Sequence, residues 1–298
     1  MKKVILKSID GYNLNLHIFE VENPKAFIQV AHGMEEHQER YEYFAQKLNE
    51  AGYSVVTANM RGHGDDAPTL GFFSEKEGYK FLVEDQKLIT KYIKETYKVD
   101  KIILFAHSMG TIISRNVMFT YTNNFSKVIL SGYPCPQPAA GMGIMLASIV
   151  KCFRGAKYKS AFLENLAIGG YSKAIKDAKT PFDWLSENEE NVKTYMEDKY
   201  CGHGFTVSAL IDLFTLVKNM ANYKNYTDVN ADMPILLVSG KDDPCPGYEK
   251  GRAKSKEILE KAGFKDISVI TYDHMRHEML NELDKDKVIK DIVEFLDK

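Results

Sequence analysis

Ser108, an aspartate pair near residue 243 and two histidines near residue 277 stand where acyl-transfer chemistry would need them. Ser108 closes the apolar run Ile102-Ile103-Leu104-Phe105 within Ala106-His107-Ser108-Met109-Gly110, and a helical pattern through Ile112, Ile113 and Val117 follows at once. A buried strand that turns sharply into a helix holds a serine hydroxyl up as a nucleophile. Small residues two before and two after the serine let the two backbones crowd together. Here they are Ala106 and Gly110, one methyl more than the usual glycine pair.

A serine hydroxyl is a weak nucleophile. It needs a base, and the base needs a carboxylate to orient it. After such a turn the partners are expected in loops behind later strands, in the order Ser, Asp or Glu, His. The strand-like run ending at Ser239 leads into Gly240-Lys241-Asp242-Asp243-Pro244. The last one, ending near Tyr272, leads into Asp273-His274-Met275-Arg276-His277-Glu278. Asp243 is the preferred acid, with Asp242 left as a solvated loop carboxylate or turn cap. His277, which leads into the final helical segment, is preferred over His274, which follows the strand closely. His274-x-x-His277-Glu278 and His32-x4-His37 also offer metal-ligand types. A zinc site would leave the serine turn unexplained, so no metal and no organic cofactor is expected.

The elements that must position these residues alternate. Strand patterns fall at the N-terminus, at 12–20, 26–31, 53–57, 101–105, 127–131, 234–239 and 267–271. Helical patterns lie near 39–51, 79–97, 248–262 and 283–296; Phe81, Val83, Leu88, Ile89, Tyr92 and Ile93 form the apolar face of the second. This predicts an α/β fold, a mostly parallel eight-stranded sheet with helices on both faces. Tyr133-Pro134-Cys135-Pro136-Gln137-Pro138 breaks the alternation. The expected domains are a core of 1–132 and 229–298 and a helical cap of 133–228, inserted at the edge of the sheet above the strand ends. Ligands in such sheets bind at the strands' carboxyl ends.

A formal net charge of −2 argues against a nucleic-acid partner. Cys135, Cys152, Cys201 and Cys245 are widely spaced, as free thiols in a reducing cytoplasm would be. Met1 to Lys7 reads as a first strand, not a signal peptide. No apolar run reaches the roughly 20 residues of a membrane span.

With these residues in place the chain resembles the α/β-hydrolases related to monoacylglycerol lipase, bacterial lysophospholipase and serine aminopeptidases. His32-Gly33-Met34-Glu35-Glu36-His37-Gln38-Glu39-Arg40-Tyr41 fits the group's H-G-x-x-E-H-x-x-R-Y string. The likeness continues at Arg61-Gly62-His63-Gly64, Phe81 to Asp85, His107 to Gly110, Gly240-x-x-Asp243 and His277-Glu278-x-x-Asn281-Glu282. It departs at Ala106 and at Asn59, where an aspartate often stands. The resemblance implies Asp243 and His277 as triad partners of Ser108. It also implies an oxyanion hole from the backbone N–H groups of Met34 and Met109. His32, Glu36, His37, Arg40, Tyr41, Arg61, His63 and His107 are expected to shape loops. Phe182-Asp183-Trp184-Leu185-Ser186 looks like a cap string, with Trp184 as a packing residue.

Ala139 to Val150 is almost wholly apolar, with glycines at 141 and 143 expected to give flexibility. It is read as a lid helix in which Ile144 and Leu146 line an acyl pocket, and which offers a transient contact with a membrane surface. A second helix, Val207 to Met220, would pack the cap on the core through Leu210, Leu213, Phe214 and Val217. The sequence thus predicts a serine ester hydrolase acting on a small ester or a single-acyl lipid such as a monoglyceride or lysophospholipid. The alternatives are an aminopeptidase or amidase on the same triad and, in a different class, a non-enzymatic binding protein.

Overall fold

The computed structural model describes residues 1–298. Eight strands form one sheet: β1 (Lys2–Lys7), β2 (Asn13–Phe19), β3 (Phe27–Ala31), β4 (Ser54–Ala58), β5 (Ile102–His107), β6 (Phe125–Ser131), β7 (Ile235–Gly240) and β8 (Ile267–Tyr272). Their spatial order is β1-β2-β4-β3-β5-β6-β7-β8. β2 runs antiparallel to β1 and β4; every pairing from β4 to β8 is parallel. β3, β4, β5 and β7 are buried at every position. Their continuous apolar runs are what a parallel sheet covered on both faces requires.

The covering helices are α1 (Glu42–Glu50), α2 (Gly78–Tyr97), α3 (Met109–Tyr121), α9 (Tyr248–Ala262) and α10 (Lys285–Leu296). Successive side chains of a strand point to opposite faces. Ile103 and Phe105 of β5 therefore meet Phe44 and Leu48 of α1 and Ile292 of α10. Leu104 and Ala106 belong instead with Ile89 of α2, Val117 of α3 and Leu259 of α9. The inner side of α2 differs from its expected apolar face. Phe81, Val83, Leu88 and Tyr92 are half-buried, while Asp85, Gln86 and Thr90 are buried beside Leu82, Ile89 and Ile93. The polar residues have partners: Gln29 of β3 donates to Gln86 at 2.9 Å and accepts from Thr90 at 2.7 Å.

Between β6 and β7 come α4 (Ala140–Arg154), α5 (Ala161–Ala167), α6 (Gly169–Ala174), α7 (Glu189–Glu197) and α8 (Val207–Met220), and no strand of the sheet. This segment leaves between two paired strands, not at the sheet's edge as the sequence suggested. Leu210, Leu213, Phe214 and Val217 of α8 share one cluster with Met109, Ile112 and Ile113 of α3. α4 turns the small residues Ala140, Gly143 and Ala147 inward. A Cβ on Gly143 would lie 3.0 Å from the Phe214 ring. Gly143 is therefore a point of close helix contact, not the flexible link its type suggested.

Candidate active site

Ser108 sits between β5 and α3 with φ 50° and ψ −118°. Such a left-handed backbone is strained for a non-glycine residue and recurs at functional turns. The turn survives because α3 crowds the end of β3. A Cβ on Gly110 would lie 2.2 Å from the Ala31 carbonyl oxygen, so that position admits no side chain. Ala106 is still within β5, and its methyl packs into the core.

The Ser108 Oγ lies 2.7 Å from His277 Nε2. His277 Nδ1 lies 2.8 Å from Asp243 Oδ2, and Asp243 Oδ1 accepts the Cys245 N–H at 2.8 Å. All three residues are buried. The carboxylate on Nδ1 fixes the tautomer that leaves Nε2 free to take the serine proton. The other members of each pair stand apart: Asp242 and His274 are exposed, and His274 has φ 55°. Burial pulls the His277 pKa down, but the Asp243 carboxylate, with Glu278 and Glu36 behind it, outweighs this and holds it above its ordinary value.

The loop after β3 faces this group. His32 holds the loop's entry, with Nδ1 2.8 Å from the Gly33 carbonyl and Nε2 accepting the Met60 N–H at 2.9 Å. Burial drives its pKa down to about 3, so the ring is neutral. Glu36 Oε1 accepts the Gly33 N–H and the Tyr41 hydroxyl; Arg40 bridges Glu36 at 3.0 Å and Glu278 at 2.6 Å. The Met34 and Met109 N–H groups have no acceptor within the protein, and both residues border the same cavity as Ser108. The Glu35 carbonyl accepts the Gly202 N–H at 3.1 Å and the Tyr195 hydroxyl at 2.9 Å, both from the segment between β6 and β7. His37 bonds Glu39 and Asp198 of the same segment.

Arg61 pairs with Asp10 and Asp85 and lies between the Tyr12 and Phe81 rings, which accounts for the Phe81 to Asp85 string as packing. His63 is buried behind it, its Nδ1 on the Arg61 carbonyl. Asn59 donates to Asp66 at 2.9 Å and accepts the Gln38 N–H at 3.0 Å. An aspartate there would set two carboxylates against each other.

Above Ser108 lies a cavity of about 390 Å³. Met109, Ile112, Met142, Leu146, Leu213 and Val217 give it an aliphatic side. Leu146 therefore reaches the cavity. Ile144 does not: it sits on another face of α4, half-buried against the α3–α8 cluster. Trp184 was expected only to pack the cap; its ring also lies 4.7 Å from that of His277 and borders the cavity. His107 likewise touches the His277 ring, at 4.8 Å, and burial followed by the charge of His277 lowers its pKa to about 4. Cys135 and Cys245, read from sequence only as free thiols, also border the cavity; all four cysteines are free.

The arrangement can take a proton from Ser108, hold the resulting imidazolium against Asp243, and present two unengaged N–H groups nearby. The model of one protein family, serine aminopeptidase S33, matches residues 22–284. The monoacylglycerol lipase of Mycolicibacterium smegmatis is 24% identical over 92% of this chain and 89% of its own length. The monoglyceride lipase of Rattus norvegicus is 25% identical over 87% of this chain and 78% of its own. Among solved structures, a thermostable carboxyl esterase from Bacillus coagulans in complex with glycerol superposes with a TM-score of 0.92 at 25% identity. That match covers 99% of this chain and 97% of the esterase.

Proposed function

This chain belongs to the serine aminopeptidase S33 family of α/β-hydrolases, and on that premise we propose that it is a serine carboxylic ester hydrolase acting on single-acyl lipids. The observation that carries this is the unbroken Ser108–His277–Asp243 chain of short contacts beneath an aliphatic cavity. Ser108 Oγ attacks the acyl carbonyl carbon while His277 Nε2 takes its proton. The Met34 and Met109 N–H groups stabilise the charge that develops on the carbonyl oxygen, each at about 3–4 kcal/mol. The C–O bond to the alcohol breaks, and the alcohol leaves with the proton from His277. Water, deprotonated by His277, then attacks the acyl-enzyme and releases the fatty acid and free Ser108.

The relatives named for monoglycerides support the lipid part of the reading. So does the cavity, whose aliphatic side suits an acyl chain better than a peptide. An aminopeptidase would need an ionised acid for the substrate amine. Burial and neighbouring Glu164 instead raise Glu35 to about 8, and Arg40 already serves Glu36 and Glu278. Residues 133–228 act as a cap that walls the cavity. Met142, Met145, Ile149 and Phe153 leave an exposed apolar stripe on α4 for transient membrane contact. No helix is long and apolar enough to cross a membrane. Four free cysteines suit a cytoplasmic setting.

A fluorophosphonate is expected to label the wild-type protein and not Ser108→Ala. On the same enzyme, p-nitrophenyl and glyceryl esters should turn over and aminoacyl anilides should not. Labelling of the alanine variant, or preferential cleavage of anilides, refutes the assignment.

A further inference from the structure

A base that takes the Ser108 proton has to become a cation inside the protein. Asp243 meets His277 at Nδ1 and Ser108 meets it at Nε2, so both nitrogens are engaged in the plane of the ring. Bonds of that kind leave the faces of the imidazole to be held by packing. Two aromatic side chains touch it. One is His107, with ring centroids 4.8 Å apart; the other is Trp184, at 4.7 Å with the planes 42° apart. Trp184 is 8% exposed and comes from the segment between β6 and β7.

The backbone on both sides of His277 holds Trp184 in this place. The Glu278 N–H donates to the Leu185 carbonyl at 2.7 Å. Arg276 donates through Nη1 to the Asp183 carbonyl at 2.7 Å and to the Ser186 carbonyl at 3.2 Å. Glu282 accepts from the Ser186 hydroxyl at 2.8 Å and from the Glu187 N–H at 3.0 Å. Tyr171 packs its ring 4.9 Å from that of Trp184. Residues 183–187 are thus laced to residues 276–282, with Trp184 and His277 in the middle of the seam.

An aromatic ring attracts a cation within about 6 Å of its centroid, and indole does so best. Here the cation exists only once the serine proton has moved. An attraction felt by the charged imidazole and not by the neutral one lowers the barrier to that transfer and adds nothing to substrate binding. The other groups that act on the charge of His277 are Asp243 after β7, Glu278 beside it and Glu36 after β3, the last two matched by Arg40. His107 of β5 is neutral, with its pKa at about 4. None of them belongs to the segment that carries Trp184.

Resting on the ester-hydrolase reading, we infer that Trp184 is a positioning residue for His277, whose ring it holds in place and whose charged form it favours as Ser108 loses its proton. The test uses the full chain, p-nitrophenyl butyrate as a small substrate, and the variants Trp184→Leu, Trp184→Met and Trp184→Phe. Leucine and methionine lack the π-system: kcat should fall about tenfold while KM stays within about twofold. A tenfold loss of imidazolium stabilisation should also move the acid limb of kcat/KM down by about one pH unit. Phenylalanine should recover most of both effects. NMR titration of the His277 ring protons in Ser108→Ala, with and without Trp184→Leu, should show the same downward move. A higher KM at unchanged kcat would make Trp184 only a cavity wall and overturns the inference. So does a lower Tm with an unmoved pH profile and an unmoved NMR titration, which would make it only a packing residue. If the wild type cleaves no ester, the hydrolase reading fails, and the NMR titration still decides whether the indole favours the imidazolium.

Discussion

Asp242 and Asp243 are chain neighbours with opposite surroundings, one in solvent and one buried against an imidazole. Asp243→Asn should lower kcat on a p-nitrophenyl ester by about 10⁴, because the amide selects the wrong tautomer of His277. Asp242→Asn should stay within about twofold, since an exposed loop carboxylate holds nothing in place. The pH profile reads the same contact. His277 must be neutral to accept a proton, and Asp243 holds its pKa above the ordinary 6.5. The acid limb of kcat/KM should therefore lie above pH 6.5 in wild type and move to lower pH in Asp243→Asn, where the countercharge is gone. An acid limb below 6.5 in wild type would contradict the pairing. The order Ser, Asp, His was legible because each residue follows a strand that announces itself. The contact of Trp184 with His277 was not: it joins an insertion to a core loop, and no local pattern encodes a meeting of two segments so far apart in sequence.

At the scale of the element, α4 shows where periodicity stops informing. A helix with one apolar stripe declares its inner face. Ala139 to Val150 is apolar nearly all round, so the choice of Ile144 with Leu146 as pocket residues had no pattern behind it. Small residues decide instead: Ala140, Gly143 and Ala147 let α4 settle on Phe214, which turns Leu146 to the cavity and Ile144 away from it. The parallel strands were readable because they are continuously apolar and bounded by turns. The inner side of α2 was misjudged because Asp85, Gln86 and Thr90 look solvent-facing until their partners are known. Leu146→Asn should depress kcat/KM for long acyl chains more than for butyryl esters, because a buried methylene contributes about 0.8 kcal/mol. Ile144→Asn should lower turnover of all chain lengths together, along with Tm. A chain-length series on both variants separates the faces; identical curves would mean that α4 does not distinguish them. Gly143→Val should cost about 1–3 kcal/mol of stability, measured by denaturant unfolding, as overpacking against Phe214 does.

Across the whole molecule, Arg40 joins the loop after β3, the last core loop and α7 through Glu36, Glu278 and Asn191. Arg40→Met should cost about 3–5 kcal/mol, because two carboxylates would stay buried without a countercharge. Burial alone would raise the Glu278 pKa; Arg40 reverses this and holds it well below 4.5. Its contribution to stability is therefore whole above pH 4.5 and is lost as pH falls through the depressed value. Thermal melts from pH 7 to 3 should show wild type losing an advantage that Arg40→Met never has. On the outer surface, Ile149→Asp with Phe153→Asp should reduce co-sedimentation with lipid vesicles and spare hydrolysis of dissolved butyryl esters, as both side chains lie in the exposed stripe. The Glu35 carbonyl, gripped by Tyr195 and Gly202, has a wider consequence. A movement that lifts those two residues removes two hydrogen bonds from the loop bearing the Met34 N–H, while His32, Glu36 and Arg40 still tie that loop to the core. The segment between β6 and β7 therefore does more than roof the cavity: it helps to set the position of the backbone beside Ser108.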